Sequence, residues 1–184
     1  MGPPGAGKGT QAVVVAERLG IPHISTGDIF RANVQALTEL GRQAKAFMDS
    51  GEYVPDDVTN AMVRDRLAQP DCAKGFLLDG YPRTLDQVEE LDRILTDLGT
   101  RVDRVVEIAV PNAEVLQRLA QRAAEQGRSD DTEEVIQRRL DVYAKQTEPL
   151  LRTYRDRGLL IGVDGLGTVD EVSARIIAAL GLTA

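Results

Sequence analysis

Apolar residues along this chain follow two alternating rhythms: short continuous runs, and stretches in which they recur every three or four positions. Lys8–Leu19 has the second rhythm, with Val14, Val15 and Leu19 on an apolar side and Gly20 at its end, and predicts a helix. Pro22–Ser25 predicts a short strand, and a helical stretch follows from Gly27. Helices near Leu40–Ser50 and Pro55–Ala68 complete a compact helical insert. Gly75–Asp79 reads as a buried strand, Thr84–Leu98 as a helix stopping at Gly99, and Arg104–Val110 as a second apolar strand closed by Pro111. Two helices, Asn112–Glu125 and Thr132–Arg157, are broken around Gly127; Asp131, with Glu134 three residues on, makes a capping-box-like start for the second. Leu159–Asp164 is a last strand and Thr168–Leu180 a last helix. Strands separated by helices predict an α/β fold, a doubly wound parallel sheet with ligands at the strands' carboxyl ends.

Composition narrows this picture. A chain of 184 residues suits one domain and needs no disulfide or metal staple. Cys72 is the single cysteine, so an internal bridge is excluded, and no Cys/His cluster has zinc-ligand spacing. A formal net charge of −7 argues against a nucleic-acid partner, since polyanion binders carry a basic surface. No apolar run reaches membrane-spanning length and no signal peptide opens the chain, which leads to the expectation of a cytoplasmic protein without a membrane partner.

The candidate chemistry begins at Gly2-Pro-Pro-Gly-Ala-Gly-Lys-Gly-Thr10. Glycines at 2, 5, 7 and 9 let the backbone turn its N–H groups onto phosphate oxygens, and the helix that follows adds the positive end of its dipole. Lys8 can reach the β- and γ-phosphates, and Thr10 can help hold Mg²⁺ or a phosphate. The generic phosphate-loop pattern puts Ser or Thr directly after the lysine, where this chain has Gly9. A buried strand ordinarily leads into such a loop, and here only Met1 stands before it. The expectation is a natural start upstream of Met1, which intact mass of the native protein would test.

The Gly-Lys-Gly-Thr-Gln variant resembles the nucleoside monophosphate kinases, and further segments agree in order. Ser25–Arg31 (Ser-Thr-Gly-Asp-Ile-Phe-Arg) is similar to the monophosphate-binding segment of adenylate kinases, and Leu78–Thr84 (Leu-Asp-Gly-Tyr-Pro-Arg-Thr) to their most diagnostic signature. Arg128–Thr132 and Arg139 match the arginine-bearing segments around their lid. The resemblance covers essentially the whole chain. It implies a P-loop NTPase-type fold with helices on both faces of the sheet, an AMP-binding insert at 25–54 and a short lid at 122–132. It also implies transfer of the terminal phosphoryl group between ATP and AMP, giving two ADP, with Mg²⁺ and no zinc, by a monomer.

Phosphoryl transfer between two nucleotides concentrates negative charge, so cations must converge. Arg31 and Arg83 follow strand ends, and the resemblance assigns both to the AMP phosphate. Arg118 and Arg122 share a helix face; with Arg128 and Arg139 they are implied around the donor phosphates and the transferring group. Lys8, Arg83, Arg122, Arg128 and Arg139 form the expected catalytic set. Gly5, Ala6, Gly7, Gly9, Thr10, Arg118 and Gly167 complete the ATP side. Thr26, backbone at Glu52, Tyr53 and Val54, Gly80 and Gln87 complete the AMP side, with Gln87 and Thr26 next to adenine. Asp79 ends a strand where a carboxylate could hold an Mg²⁺-bound water. Asp130 and Asp131 pair with lid arginines, and Gly127 is the expected pivot of the lid. Arg93 and Arg138 read as solvated helix faces; His23, Cys72, Tyr143 and Tyr154 read as structural. Two rivals remain open: a kinase acting on UMP, CMP or GMP, and a nucleotide-binding form without turnover.

Overall fold

The computed structural model describes residues 1–126 and 132–182; the expected pivot Gly127, with Arg128, Asp130 and Asp131, lies outside them. The first helix, α1 (Lys8–Leu19), is bracketed by two left-handed glycines, Gly7 at φ +88° and Gly20 at φ +65°. No side chain caps its start, so the first N–H groups stay available to a ligand. Its buried side is Gln11, Ala12, Val15 and Ala16, while Leu19, expected among the apolar positions, is exposed. Gln11 docks α1 onto the last helix, α9 (Val169–Ala179): Nε2 donates to Val169 O at 3.0 Å, and Oε1 accepts from Ser173 Oγ at 2.6 Å.

Strands β1 (His23–Ser25) and β2 (Leu77–Asp79) pair in parallel, with Ser25 opposite Asp79. Strands β3 (Val105–Ala109) and β4 (Leu160–Asp164) form a second parallel pair, with Ala109 opposite Asp164. Among the described residues no ladder joins β2 to β3. Met1 makes one rung on the near edge of β3: its amino group donates to Val106 O, and its carbonyl accepts from Ile108 N at 3.0 Å. A cavity of about 570 Å³ runs past Leu77 and Leu78 on one side and Val105 and Val106 on the other. The run at 75–79, expected as a buried strand, is therefore shorter and only half-buried.

Three helices, α2 (Thr26–Gln35), α3 (Glu39–Asp49) and α4 (Asp56–Leu67), build the insert around Phe30, Ala44 and Val54. Here α3 crosses α2 so closely that a Cβ on Gly41 would lie 2.1 Å from Asn33 O. Helix α5 (Leu85–Asp97), capped by Thr84, lays Leu91, Ile94 and Leu95 against Ile24 and Val63.

Helix α6 (Asn112–Gln126) precedes the segment expected as one helix over 132–157, which is three pieces: α7 (Glu133–Val142), a wide turn at Tyr143–Thr147, and α8 (Pro149–Asp156). Pro149 has no N–H to continue the ladder, and Glu148 N reaches back five residues to Tyr143 O at 2.9 Å. The cap of α7 is Thr132, whose side chain accepts from Val135 N; the expected Asp131 lies outside the described residues. By contrast, Thr168 and Glu171 form a full capping box at the start of α9.

Candidate active site

The phosphate loop is fixed by close packing. A Cβ on Gly2 would lie 2.6 Å from Ile108 O, and one on Gly5 2.8 Å from Leu119 Cγ. Both glycines also sit at positive φ, +133° and +85°, so the loop is seated against β3 and α6 in a shape other residues resist. Lys8 Nζ folds under the loop and donates to Gly2 O at 2.7 Å and Pro3 O at 2.8 Å. Burial lowers its pKa from 10.5 to about 8; Asp79 works against this, and the like charges of Arg83, Arg139 and Arg122 add to it. Three arginines thus bear on Lys8 by charge, and an incoming polyanion would relieve that repulsion.

Gly9, the departure from the generic loop, faces Asp79: a Cβ there would lie 3.4 Å from Asp79 Oδ2. A hydroxyl-bearing side chain would extend farther into that space, so glycine keeps the gap between loop and carboxylate open. Burial alone would raise the Asp79 carboxyl, but the adjoining His23, Lys8 and Arg83 outweigh it and hold the group below its ordinary value. His23 Nε2 is 3.5 Å from Asp79 Oδ2. Among the described residues no three His, Cys, Asp or Glu side chains are grouped as a metal cage. A single ionised carboxylate beside a phosphate loop fits Mg²⁺, which takes one or two carboxylates and draws its remaining ligands from phosphates and water. Thr10 is exposed on the first turn of α1.

The opposite wall is built of interlocked polar groups. Gly80, at φ +77°, offers its carbonyl to Thr26 Oγ1 at 2.9 Å and to Arg83 Nε at 2.6 Å. The Arg83 guanidinium lies 4.9 Å from the Tyr53 ring centroid. Arg83 O accepts from Thr147 Oγ1 at 2.8 Å, and the Tyr53 and Thr147 hydroxyls are bonded at 2.8 Å. Gln87 lies buried behind, its Oε1 accepting from Arg83 N at 2.7 Å and its Nε2 donating to Asp56 Oδ1 at 2.6 Å. Arg31 lines the same cavity, folded over Gly27 and paired with Asp28. Arg139 lines it from α7, beside Gly51.

On the far side of the loop, Arg118 Nη2 donates to Gly165 O at 3.0 Å and its Nε to Glu114 Oε1 at 2.7 Å. Its Nη1 lies 4.0 Å from where a Cβ on Gly7 would be. Gly167, at φ +110°, turns the chain from β4 into α9. Arg122 acts on Lys8 through its charge.

The structure thus brings Lys8, Asp79, Arg31, Arg83, Arg139, Thr26 and Gln87, with Glu52–Val54, to one cavity. Arg93 pairs with Glu89 and Glu90 on its own helix, as a solvated face would. Arg138 is likewise exposed on its helix, where it pairs with Glu52 and so ties α7 to the segment after α3. Residue-by-residue reading did not mark Asp56, Thr147 or the ring of Tyr53. The one local signal was Pro149, which distorts the helix beside Thr147.

A phosphate loop opening a helix, cations near it, and a polar wall at the ends of β1 and β2 in the same cavity define an α/β protein that binds nucleotide phosphates. Comparison with known proteins narrows the class. A family model described as adenylate kinase matches residues 1–159. The chain is 61% identical over 180 residues to an adenylate kinase of Kocuria rhizophila, covering 98% of this chain and 96% of that one. It is likewise 61% identical to an adenylate kinase of a Nocardioides species, with 94% of that protein covered, and 57% identical to one of Thermobifida fusca, with 95% covered. The chain belongs to the adenylate kinase family.

Proposed function

We propose that this chain transfers the terminal phosphoryl group of ATP to AMP, reversibly, giving two ADP. The observation that carries this reading is the cavity in which Lys8 lies within the fields of Arg83, Arg139, Arg122 and Asp79. Kinship to proteins called adenylate kinase supports it. In this reading Gly5–Thr10 wrap the ATP phosphates with backbone N–H groups, Lys8 neutralises the charge that moves, and Arg118 and the Gly165–Gly167 turn border the donor base. Arg31 and Arg83 hold the AMP phosphate, Arg122, Arg128 and Arg139 surround the group in flight, and Thr26, Gln87 and the Glu52–Val54 backbone border the acceptor base. The AMP phosphate is itself an anionic nucleophile, so the residues supply position and charge and no general base is required.

Asp79, through water, and Thr10 are the residues that would hold Mg²⁺, which supplies charge neutralisation at the phosphates when bound. The 25–54 segment would receive the monophosphate, and 122–132 would form a short lid carrying Arg128. The working form is a cytoplasmic monomer; among the described residues no helix is long and apolar enough to cross a membrane.

The test is ADP formation from ATP, AMP and Mg²⁺ by the chain as written, run beside GMP, UMP and CMP. AMP is the expected acceptor. A folded protein that forms no ADP, or that prefers another monophosphate, overturns the reading. Arg122→Ala retaining near-full turnover would remove Arg122 from the transfer site.

A further inference from the structure

Asp56, at the first position of α4, spends both carboxylate oxygens on the wall beneath the monophosphate pocket. Its Oδ1 accepts from Gln87 Nε2 at 2.6 Å and its Oδ2 from Thr84 Oγ1 at 2.7 Å. With its proton committed to Asp56, the Thr84 hydroxyl accepts from Gln87 N at 3.1 Å. The other end of the Gln87 carboxamide, Oε1, takes the Arg83 N–H at 2.7 Å. A carboxamide has two N–H donors and two acceptor lone pairs. One of each is consumed here, leaving one donor and one acceptor on a buried residue that lines the cavity.

The orientation of that amide is dictated rather than free. Turned over, Gln87 would set its oxygen against the Asp56 carboxylate and its NH₂ against the Arg83 N–H, losing two bonds and creating two repulsions. From this geometry we propose that Asp56 is a positioning residue that holds the Gln87 amide in the one orientation suited to a base presenting a ring-nitrogen acceptor next to an amino donor. The proposal rests on the reading above, that the acceptor base lies against Gln87.

The chemistry of the bases then sorts the four monophosphates. Adenine offers the N1 acceptor beside the N6 amino donor, and cytosine repeats that order with N3 and N4. Guanine offers N1–H beside O6, and uracil N3–H beside O4, the reverse order. A fixed amide therefore refuses guanine and uracil on polarity, whereas it can reject cytosine only on size. A site built to hydrogen-bond one pattern discriminates strongly against a base that leaves its groups unpaired.

Asp56→Asn supplies the test, because an asparagine can turn its own NH₂ toward a flipped Gln87 and remove the larger of the two repulsions. In that variant the kcat/KM preference for AMP over GMP and over UMP should fall about tenfold or more, the worth of one charge-assisted hydrogen bond. The preference for AMP over CMP should stay within about twofold on the same bond accounting. A purely structural role would lower all four values together. Because each preference is a ratio measured on one preparation, partial misfolding cancels; Asp56→Ser serves if the first variant does not fold. Unchanged AMP:GMP and AMP:UMP ratios overturn the proposal. Gln87→Ala in the same assay separates the two readings. If it shifts the ratios while Asp56→Asn does not, the positioning role alone fails. If it too leaves every ratio unchanged, the base does not lie against Gln87 and both fail.

Discussion

The two walls of the cavity are organised on different physical terms. On the β2 wall, Gly80, Arg83, Gln87, Asp56 and Thr147 hold one another through hydrogen bonds between side chains and backbone. On the phosphate-loop wall, Lys8 hangs from two carbonyls of its own loop, its proton affinity lowered by burial and further by neighbouring arginines. The first wall is preorganised by bonds already made. The second is held short of its ligand's charge. Shape and polarity on one side, unspent electrostatics on the other, is a division that suits a reaction with a chosen acceptor and a mobile phosphoryl group.

Removing the charge tests the second wall most severely. Lys8→Met keeps the length of the side chain and should lower turnover by about 10²–10³-fold or more, the scale of losing one preorganised charge or donor at a transition state. Stability should change little, because relief of the buried ammonium is offset by the loss of its bonds to Gly2 O and Pro3 O and of its attraction to Asp79. Steady-state kinetics beside urea melts would check both, and a variant that lost its fold together with its activity would put Lys8 in the wrong category.

The same lysine should leave a mark in the pH profile. Its pKa in the folded chain is about 8, below its ordinary 10.5, so it is charged below pH 8 and loses its proton above. In the free enzyme, kcat/KM for ATP should be flat below about pH 8 and then fall, by up to about tenfold per unit. Stability has the opposite sign. Between about 8 and 10.5 the unfolded chain holds the proton that the folded chain has released, so unfolding free energy rises with pH across that window. Binding lost and stability gained over one range, both absent in Lys8→Met, would be the signature of this wall; a profile unaltered by the substitution would assign the titration elsewhere.

Much of the loop wall was legible in the sequence because its parts are neighbours in the chain. Glycine spacing, a lysine and a helix start specify one local shape, and Gly7 and Gly20 end α1 where the pattern put them. Thr168 with Glu171 is equally local. The β2 wall was legible only in part. Arg83 and Gln87 stand in a recognisable segment, but their partners Thr147 and Asp56 lie 64 and 31 positions away. Asp56 looks like any acidic residue in a helix's first turn. The pairing of Arg138 with Glu52, 86 positions apart, was hidden for the same reason. The wide turn before Pro149 was a missed local signal, since a proline inside a helical pattern removes a rung, and the chain's answer was to bulge.

That bulge gives the smallest and most diagnostic test of the contrast. Thr147 is buried, donates to Arg83 O and, its proton being committed, accepts from the Tyr53 hydroxyl. Thr147→Val preserves shape while leaving a carbonyl and a phenol without partners, at about 1–3 kcal/mol each if they stay dry. The damage should pass through Arg83, whose backbone loses an anchor and whose guanidinium rests on the loosened Tyr53 ring. The AMP KM should therefore rise by about three- to tenfold, on the scale of part of one hydrogen bond, while the ATP KM and kcat move little. If the ATP KM rose instead, or kcat fell with the AMP KM unchanged, the two walls would not be separable in the way their bonding implies. Charge on the loop side would then depend on the same scaffold as recognition on the other.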